Sequence, residues 1–301
     1  MTTPAHIDRP LLGIALMAGF CVLAPLGDSL AKILGPTIPL LQLLLVRFAA
    51  QGLLMAPMAL KDRPALGPRL LWLIALRTAL HIAGIGMMFS ALVHMPLADA
   101  VSIAFVMPFI LLLLGWLWLG EEVGLRRLLA CAIGFGGTLL VLQPAFEEAG
   151  WIALLPLGVA VTFALFMLVT RSLSRHVASM TMHAISGGMA TAVLLPAVVI
   201  LGAWTVPSAR DAALLAALGL LGTYAHLLMI WSLKYAPSTT LAPMQYIEIP
   251  VATLFGFVIF GDLPGPQASL GIAVICAAGL YVIWRERVTA RSIMRASAAP
   301  P

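Results

Sequence analysis

The feature that constrains this chain most is a succession of apolar runs, each long enough to cross a bilayer, separated only by short breaks of charge, Pro and Gly. One helical crossing takes about 20 residues at 1.5 Å rise to span roughly 30 Å of hydrocarbon. On that measure the breaks divide the chain into ten spans, near 11–32, 38–60, 69–93, 97–119, 126–143, 151–171, 179–203, 211–234, 238–260 and 267–284. Only His94, Pro96 and Asp99 interrupt the third and fourth, but the run they divide is too long for a single crossing. Charged residues make up 10 % of the chain, against about 25 % in soluble proteins, and mean hydropathy is +1.06, which leaves no room for a water-soluble catalytic domain. The expected fold class is therefore all-α, a polytopic membrane protein with the lipid bilayer as its solvent. Soluble enzymes and nucleic-acid binders are poor candidates despite the +5 net charge. The first run reads as a span rather than a cleaved signal peptide, because Asp28 and Lys32 stand where a small-residue cleavage site would fall.

Cytoplasmic loops retain Lys and Arg, so the positions of the cations set topology. Of the 17, thirteen lie on alternate loops beginning with the N-terminus, two (Lys32 and Arg210) lie on the opposite side, and Arg47 and Arg77 lie within spans. Both termini are thus expected in the cytoplasm of a bacterial cell, with the protein in its inner membrane. All seven Trp fall near span ends, as an interfacial aromatic belt requires. Cys21, Cys131 and Cys276 sit in apolar runs without paired spacing and read as packing residues.

Sliding the chain by 141 residues places Leu92–Val141 on Leu233–Val282 without gaps, with identities at Pro96/Pro237, Gly115/Gly256, Gly120/Gly261 and Gly124/Gly265 among others. In both copies a Pro precedes a span, and a Gly followed by an acid (Glu121, Asp262) ends it. A unit of five spans is odd in number, so its second copy must enter the membrane from the opposite side. Inverted repeats of this kind are an architecture of secondary transporters, with the substrate site between repeats near mid-membrane. The expected organisation is a first repeat over 11–143, a second, inverted one over 151–286 and a basic cytoplasmic tail over 287–301.

The segment Ala91–Pro144, with "ALVHMPLADAVSIAFVMPFILLLLGWLWLGEE" and then "GFGGTLLVLQP", resembles the EamA-type proteins of the drug/metabolite transporter superfamily. "SLKYAPSTTLAPMQYIEIPVATLFGFVIFGD" resembles the second repeat of that family, and the Arg47-Phe48 pair looks like the family's second span. The resemblance implies ten helices, cytoplasmic termini and transport of small metabolites, most often export of amino acids or their derivatives. Import of a vitamin or nucleoside-like metabolite is the alternative, and an intramembrane lipid-modifying enzyme is the rival from another class. Such an enzyme would need acids or histidines clustered at one membrane face. The nearest candidates, Glu121 with Glu122 and Glu147 with Glu148, fall on opposite sides in this topology.

An ionised side chain at a helix centre costs about 2.5–3.5 kcal/mol on insertion scales, so the few present should face a cavity or a partner. Glu248 lies mid-span, two residues before Pro250, and reads either as a cavity-facing carboxylate or as the partner of Arg47 or Arg77. Its neighbours Gln245 and Tyr246 make the stretch polar and join it as candidate substrate-binding residues. Arg47 either fastens helices through backbone carbonyls or recognises a carboxylate. Arg77 and His81 share one face of the third span and join the candidate substrate-binding residues; His81, nearer the centre, reads either as a group that bonds substrate or changes charge with pH or as a neutral histidine bonded to a neighbouring helix. Asp99 reads as an N-terminal cap or a gate, and Pro108 and Pro250 as kinks that free carbonyls for a hinge. Asp28 and Lys32 lie nearer the outer end, and His183 and His226 read as interhelical hydrogen bonders. No metal-ligand spacing, phosphate loop or nucleophile elbow appears, so neither catalysis, a metal nor a cofactor is expected.

Overall fold

The computed structural model describes residues 10–62, 66–110, 113–114, 125–173, 176–235, 241 and 244–297. Every regular element among them is helical. The first half comprises α1 (Pro10–Leu34), α2 (Leu40–Asp62), α3 (Pro68–Leu92), α4 (Leu97–Ala104) and α5 (Leu125–Ala149). A short 3-10 turn, Gly150–Leu154, leads to α6 (Leu155–Leu173), α7 (Ser179–Ile200), α8 (Ala209–Tyr235), α9 (Glu248–Phe255) and α10 (Pro266–Ser297). Among the described residues six stretches are long and apolar enough to cross a membrane; one of them, Leu128–Thr170, runs for 43 residues, about two crossings. The protein is a multi-pass membrane protein. The fourth and ninth expected spans are not continuous helices, and the last helix runs on to Ser297, through most of the sequence expected to be a tail.

The helices pair in a pattern that survives exchange of the two halves. α2 packs on α7, α5 on α10 and α4 on α9, while α1 packs on α8 and α3 on α6. Under the exchange the first three pairings map onto themselves and the last two onto each other. Water is absent from hydrocarbon, so such pairs are held by close packing rather than by a hydrophobic drive, and small residues sit where backbones meet. A side chain at Gly187 would place its Cβ 2.5 Å from the Gly52 nitrogen, and one at Gly137 would lie 2.9 Å from the Gly271 carbonyl oxygen. Gly187→Val is accordingly expected to push α2 off α7 and to destabilise by about 1–3 kcal/mol or more. Thermal unfolding in detergent reads this, and an unchanged midpoint would show that the helices have room to part.

The outward surface is apolar, as contact with lipid demands: Leu53, Val193, Val199, Ile200 and Leu263 are exposed. Trp72, Trp151 and Trp204 are exposed at or beside helix ends, in keeping with the expected belt, whereas Trp284 is exposed within α10, which continues to Ser297. Trp116 and Trp118 lie outside the described residues.

Candidate functional site

Both discontinuous spans break at one place in the repeat. In the first half the helix loosens into a turn at Phe105 and Val106, and in the second at Tyr246 and Ile247, 141 residues on in each case. The chemistry of each break is local. Pro108 and Pro250 lack an N–H, so the carbonyls of Ala104 and Tyr246 lose their helical donor. The amides of Val106 and Ile247 turn instead to Ile103 and Met244, three residues back. The Phe105 and Tyr246 rings stand 5.4 Å apart, so the breaks meet inside the bundle. Tyr246 is buried and its ring fills a slot on α10 that exists because Gly279 has no side chain; a Cβ there would overlap the ring.

Beside the second break lie three charged residues. Cys21 donates to the Met244 carbonyl at 3.3 Å, which holds the start of the broken span against α1. Asp28 is seven residues beyond Cys21, two turns along the same face. Glu248, the first residue of α9, lies within electrostatic reach of both Cys21 and Asp28, and Asp28 in turn of Arg47 on α2. Both carboxylates are half-buried, yet neither forms an ion pair; among the described residues only Lys32 and Asp262 do. Gln245 is half-buried next to them.

Arg47 is 3 % exposed and lies flat against Gly222 on α8, where a Cβ would come within 2.7 Å of its guanidinium carbon. Its Nη1 has no hydrogen-bond partner among the described residues. Its Nη2 stands 3.3 Å from His226 Nδ1, but that nitrogen is 2.9 Å from the Gly222 carbonyl. A carbonyl only accepts, so His226 Nδ1 carries the proton and donates to it; it therefore cannot accept from Arg47. Neither terminal nitrogen of this buried guanidinium has an acceptor among the described residues.

Arg77 is placed differently. It is fully buried, donating through Nε to Thr170 at 2.8 Å and through Nη1 to Ser186 at 2.7 Å. Nη2 faces His183 Nε2 at 3.2 Å, and the guanidinium lies 4.3 Å over the Phe166 ring. Arg donates only, so His183 accepts here. One side chain of α3 thereby fastens α6 and α7. Gln51 adds a bond to the His183 carbonyl at 2.9 Å. His81, on the same face as Arg77, is also fully buried, but its ring is walled by Phe48, Phe166, Phe163 and His226 and neither of its nitrogens is hydrogen-bonded. It packs among rings rather than facing an open space.

Asp99 does not cap its helix. Pro96 is the N-cap of α4, Asp99 lies in the first turn, and its Oδ1 is buried without a partner. In that turn a carboxylate still faces the positive end of the helix dipole, which is why an acid suits the position without a capping bond. Lys32, expected near Asp28, pairs with the other half: its Nζ is 2.8 Å from Asp262 Oδ2 and 3.0 Å from the Met95 carbonyl. Glu121 and Glu122 lie outside the described residues.

A family model described as "EamA-like transporter family" matches residues 11–143 and again 150–285. The chain is 29 % identical over 223 residues to a protein of Rhizobium johnstonii named riboflavin transporter, covering 71 % of each. A Vibrio cholerae protein of the same name is 26 % identical over 219 residues, 72 % of this chain and 73 % of that one. An S-adenosylmethionine uptake transporter of Rickettsia prowazekii is 23 % identical over 278 residues, 92 % of this chain and 94 % of its own. A solved crystal structure, 18 % identical, superposes with a TM-score of 0.63 over 93 % of this chain and 99 % of that one, and so shares the fold. These relatives correct one expectation. They are named for a vitamin and a nucleoside-like metabolite, and the Rickettsia protein for uptake, so export of amino acids does not stand. The physical reason is that the motifs behind the resemblance are turns and packing glycines, which fix a fold without touching a solute.

Proposed function

The chain belongs to the EamA-like transporter family, and from that premise we propose that it is a secondary carrier that brings a vitamin or nucleoside-like metabolite into the cell by alternating access. The observation that carries the reading is the meeting of the two broken spans beside Asp28, Arg47 and Glu248, charged groups contributed by both halves that join in no ion pair among the described residues, Arg47 keeping only the Phe48 ring at 5.6 Å and the His226 ring beside it. Unpaired charge in hydrocarbon is expensive, and a chain tolerates it where a pathway needs it. Ten crossings in two inverted five-helix repeats, with both termini in the cytoplasm, fit the odd span count per repeat, the exchange-symmetric packing and the thirteen-to-two distribution of cations. A bacterial inner membrane fits the bacterial relatives.

In this reading Pro108 and Pro250 mark hinge points. Arg77, with its donors engaged by Thr170, Ser186 and His183, serves as a fastener, and Tyr246 packs the hinge. Purified protein in liposomes tests it. Saturable uptake of labelled riboflavin or S-adenosylmethionine above that of empty vesicles is the expected result; no such flux for either solute sinks the proposal. In the same assay Glu248→Gln is expected to lower uptake several-fold at unchanged yield of folded protein.

A further inference from the structure

We infer that the substrate carries both a negative and a positive group, its anion held by Arg47 and its cation by Asp28 and Glu248. The inference rests on the carrier reading above and adds a ligand class that the motifs do not. Arg47 presents Nη1, and behind it Nη2, with no acceptor among the described residues, although the residue is all but sealed from solvent. A guanidinium is a planar fork matched to a carboxylate or phosphate, and a buried charge is stabilised when such an anion meets it. Gly222 is what lets it lie there: with no side chain on that face of α8, the guanidinium rests against the backbone.

Asp28 is the acid within electrostatic reach of Arg47, yet no ion pair closes between them. The two acids lie within electrostatic reach of each other across the α1–α9 contact, and neither forms an ion pair among the described residues. A ligand bridging these groups, negative toward α2 and positive toward α1 and α9, would neutralise all three at once. It would also tie the first half (α1, α2) to the second (α9), as a substrate must if its binding is to bias one arrangement of the halves over another. A solute with no ionic groups leaves the three charges unpaired, and the site offers it no such gain.

S-adenosylmethionine and its decarboxylated form differ in the carboxylate alone, and riboflavin has neither an ammonium nor a carboxylate, so the three serve as probes. Binding is measured on the purified full-length protein by displacement or calorimetry, and uptake in liposomes. Wild type is expected to bind S-adenosylmethionine about tenfold or more tighter than the decarboxylated form, a bidentate contact's worth of selectivity. Arg47→Gln should bring that ratio close to one, chiefly by weakening the binding of S-adenosylmethionine. Asp28→Asn and Glu248→Gln should weaken binding of both forms alike. Arg47→Lys, which keeps the charge without the fork, should recover only part of the ratio and so separates recognition from loss of fold. A ratio that persists in Arg47→Gln overturns the assignment. So does riboflavin transport that Arg47→Gln leaves intact, in which case the carrier reading stands without the dipolar ligand. Failure to move any of the three solutes overturns both.

Discussion

Arg77→Ala should remove most of the folded protein from the membrane. The substitution deletes two hydrogen bonds from a charged donor at 2.7 and 2.8 Å, a third contact to His183 and a guanidinium stacked 4.3 Å over Phe166. Interhelical hydrogen bonds in membranes measure about 0.6 kcal/mol on average and up to about 1.7, and a desolvated cation–π contact about 2. Together with the cavity left by a fully buried side chain, the loss is about 3–6 kcal/mol, comparable to the whole stability of many domains. Two further variants separate the causes. Arg77→Lys keeps a charge but cannot span Thr170 on α6 and both Ser186 and His183 on α7 with one planar fork, so it should rescue little. Arg77→Met restores most of the volume and removes the buried charge, so it should be milder than Arg77→Ala. Yield of monodisperse protein and its thermal midpoint read all three. Wild-type stability in Arg77→Ala would show that α3 does not depend on this fastening.

Much of this was open to reading in the sequence, because periodicity and charge placement act over tens of residues. The helix boundaries follow the breaks: α3 begins at Pro68 and ends at Leu92 where a span was expected over 69–93. The kinks expected at Pro108 and Pro250 fall beside both breaks, although these prolines are one residue out of register with the 141-residue repeat and the turns themselves lie two to four residues before them. What stayed hidden is partner choice. A mid-span Arg can fasten helices or meet a ligand, and spacing along one helix cannot tell which. Arg77 finds Thr170 and Ser186, hydroxyls 93 and 109 residues away, whereas Arg47 finds Gly222 and no acceptor among the described residues. His81 was a candidate for the pathway because it shares a face with Arg77, but the rings that enclose it come from three other helices. Asp28 looked like an end-of-span residue and belongs with Glu248, a pairing visible only once α1 is set against the broken ninth span. Substrate class and direction were not legible, since no motif residue needs to touch the solute.

The Gly-then-acid motif at the end of the ninth span acquires a use that carries the second large effect. Gly261 has φ +75°, a left-handed cap that ends the π-helical turn Gly256–Phe260, and the Asp262 amide bonds back to the Gly256 carbonyl at 3.1 Å. The reversal delivers the Asp262 carboxylate to Lys32 at the end of α1, where the Nζ also lies 4.7 Å over the Phe260 ring. Gln42 with Thr205 and Gln143 with Gln267 tie the two halves at the same end of the bundle. A carrier that alternates must break these ties to open that face, so removing one should favour the opened arrangement. Each 1.4 kcal/mol taken from the closed state is a tenfold shift in population. An exposed pair contributes at most about 1 kcal/mol, while this one is partly buried beneath Met95 and Phe260 and should contribute somewhat more. A Met95→Cys reporter, buried under Lys32, reads the change by its labelling rate with a membrane-impermeant maleimide, in a background lacking the three native cysteines. Lys32→Ala or Asp262→Asn should accelerate labelling by about five- to tenfold. The exchanged pair, Lys32→Asp with Asp262→Lys, should return it toward the starting rate, because the geometry that joins the residues is set by Gly261 and not by which of them is positive. Equal labelling in all four proteins would mean that this end is held shut by packing alone.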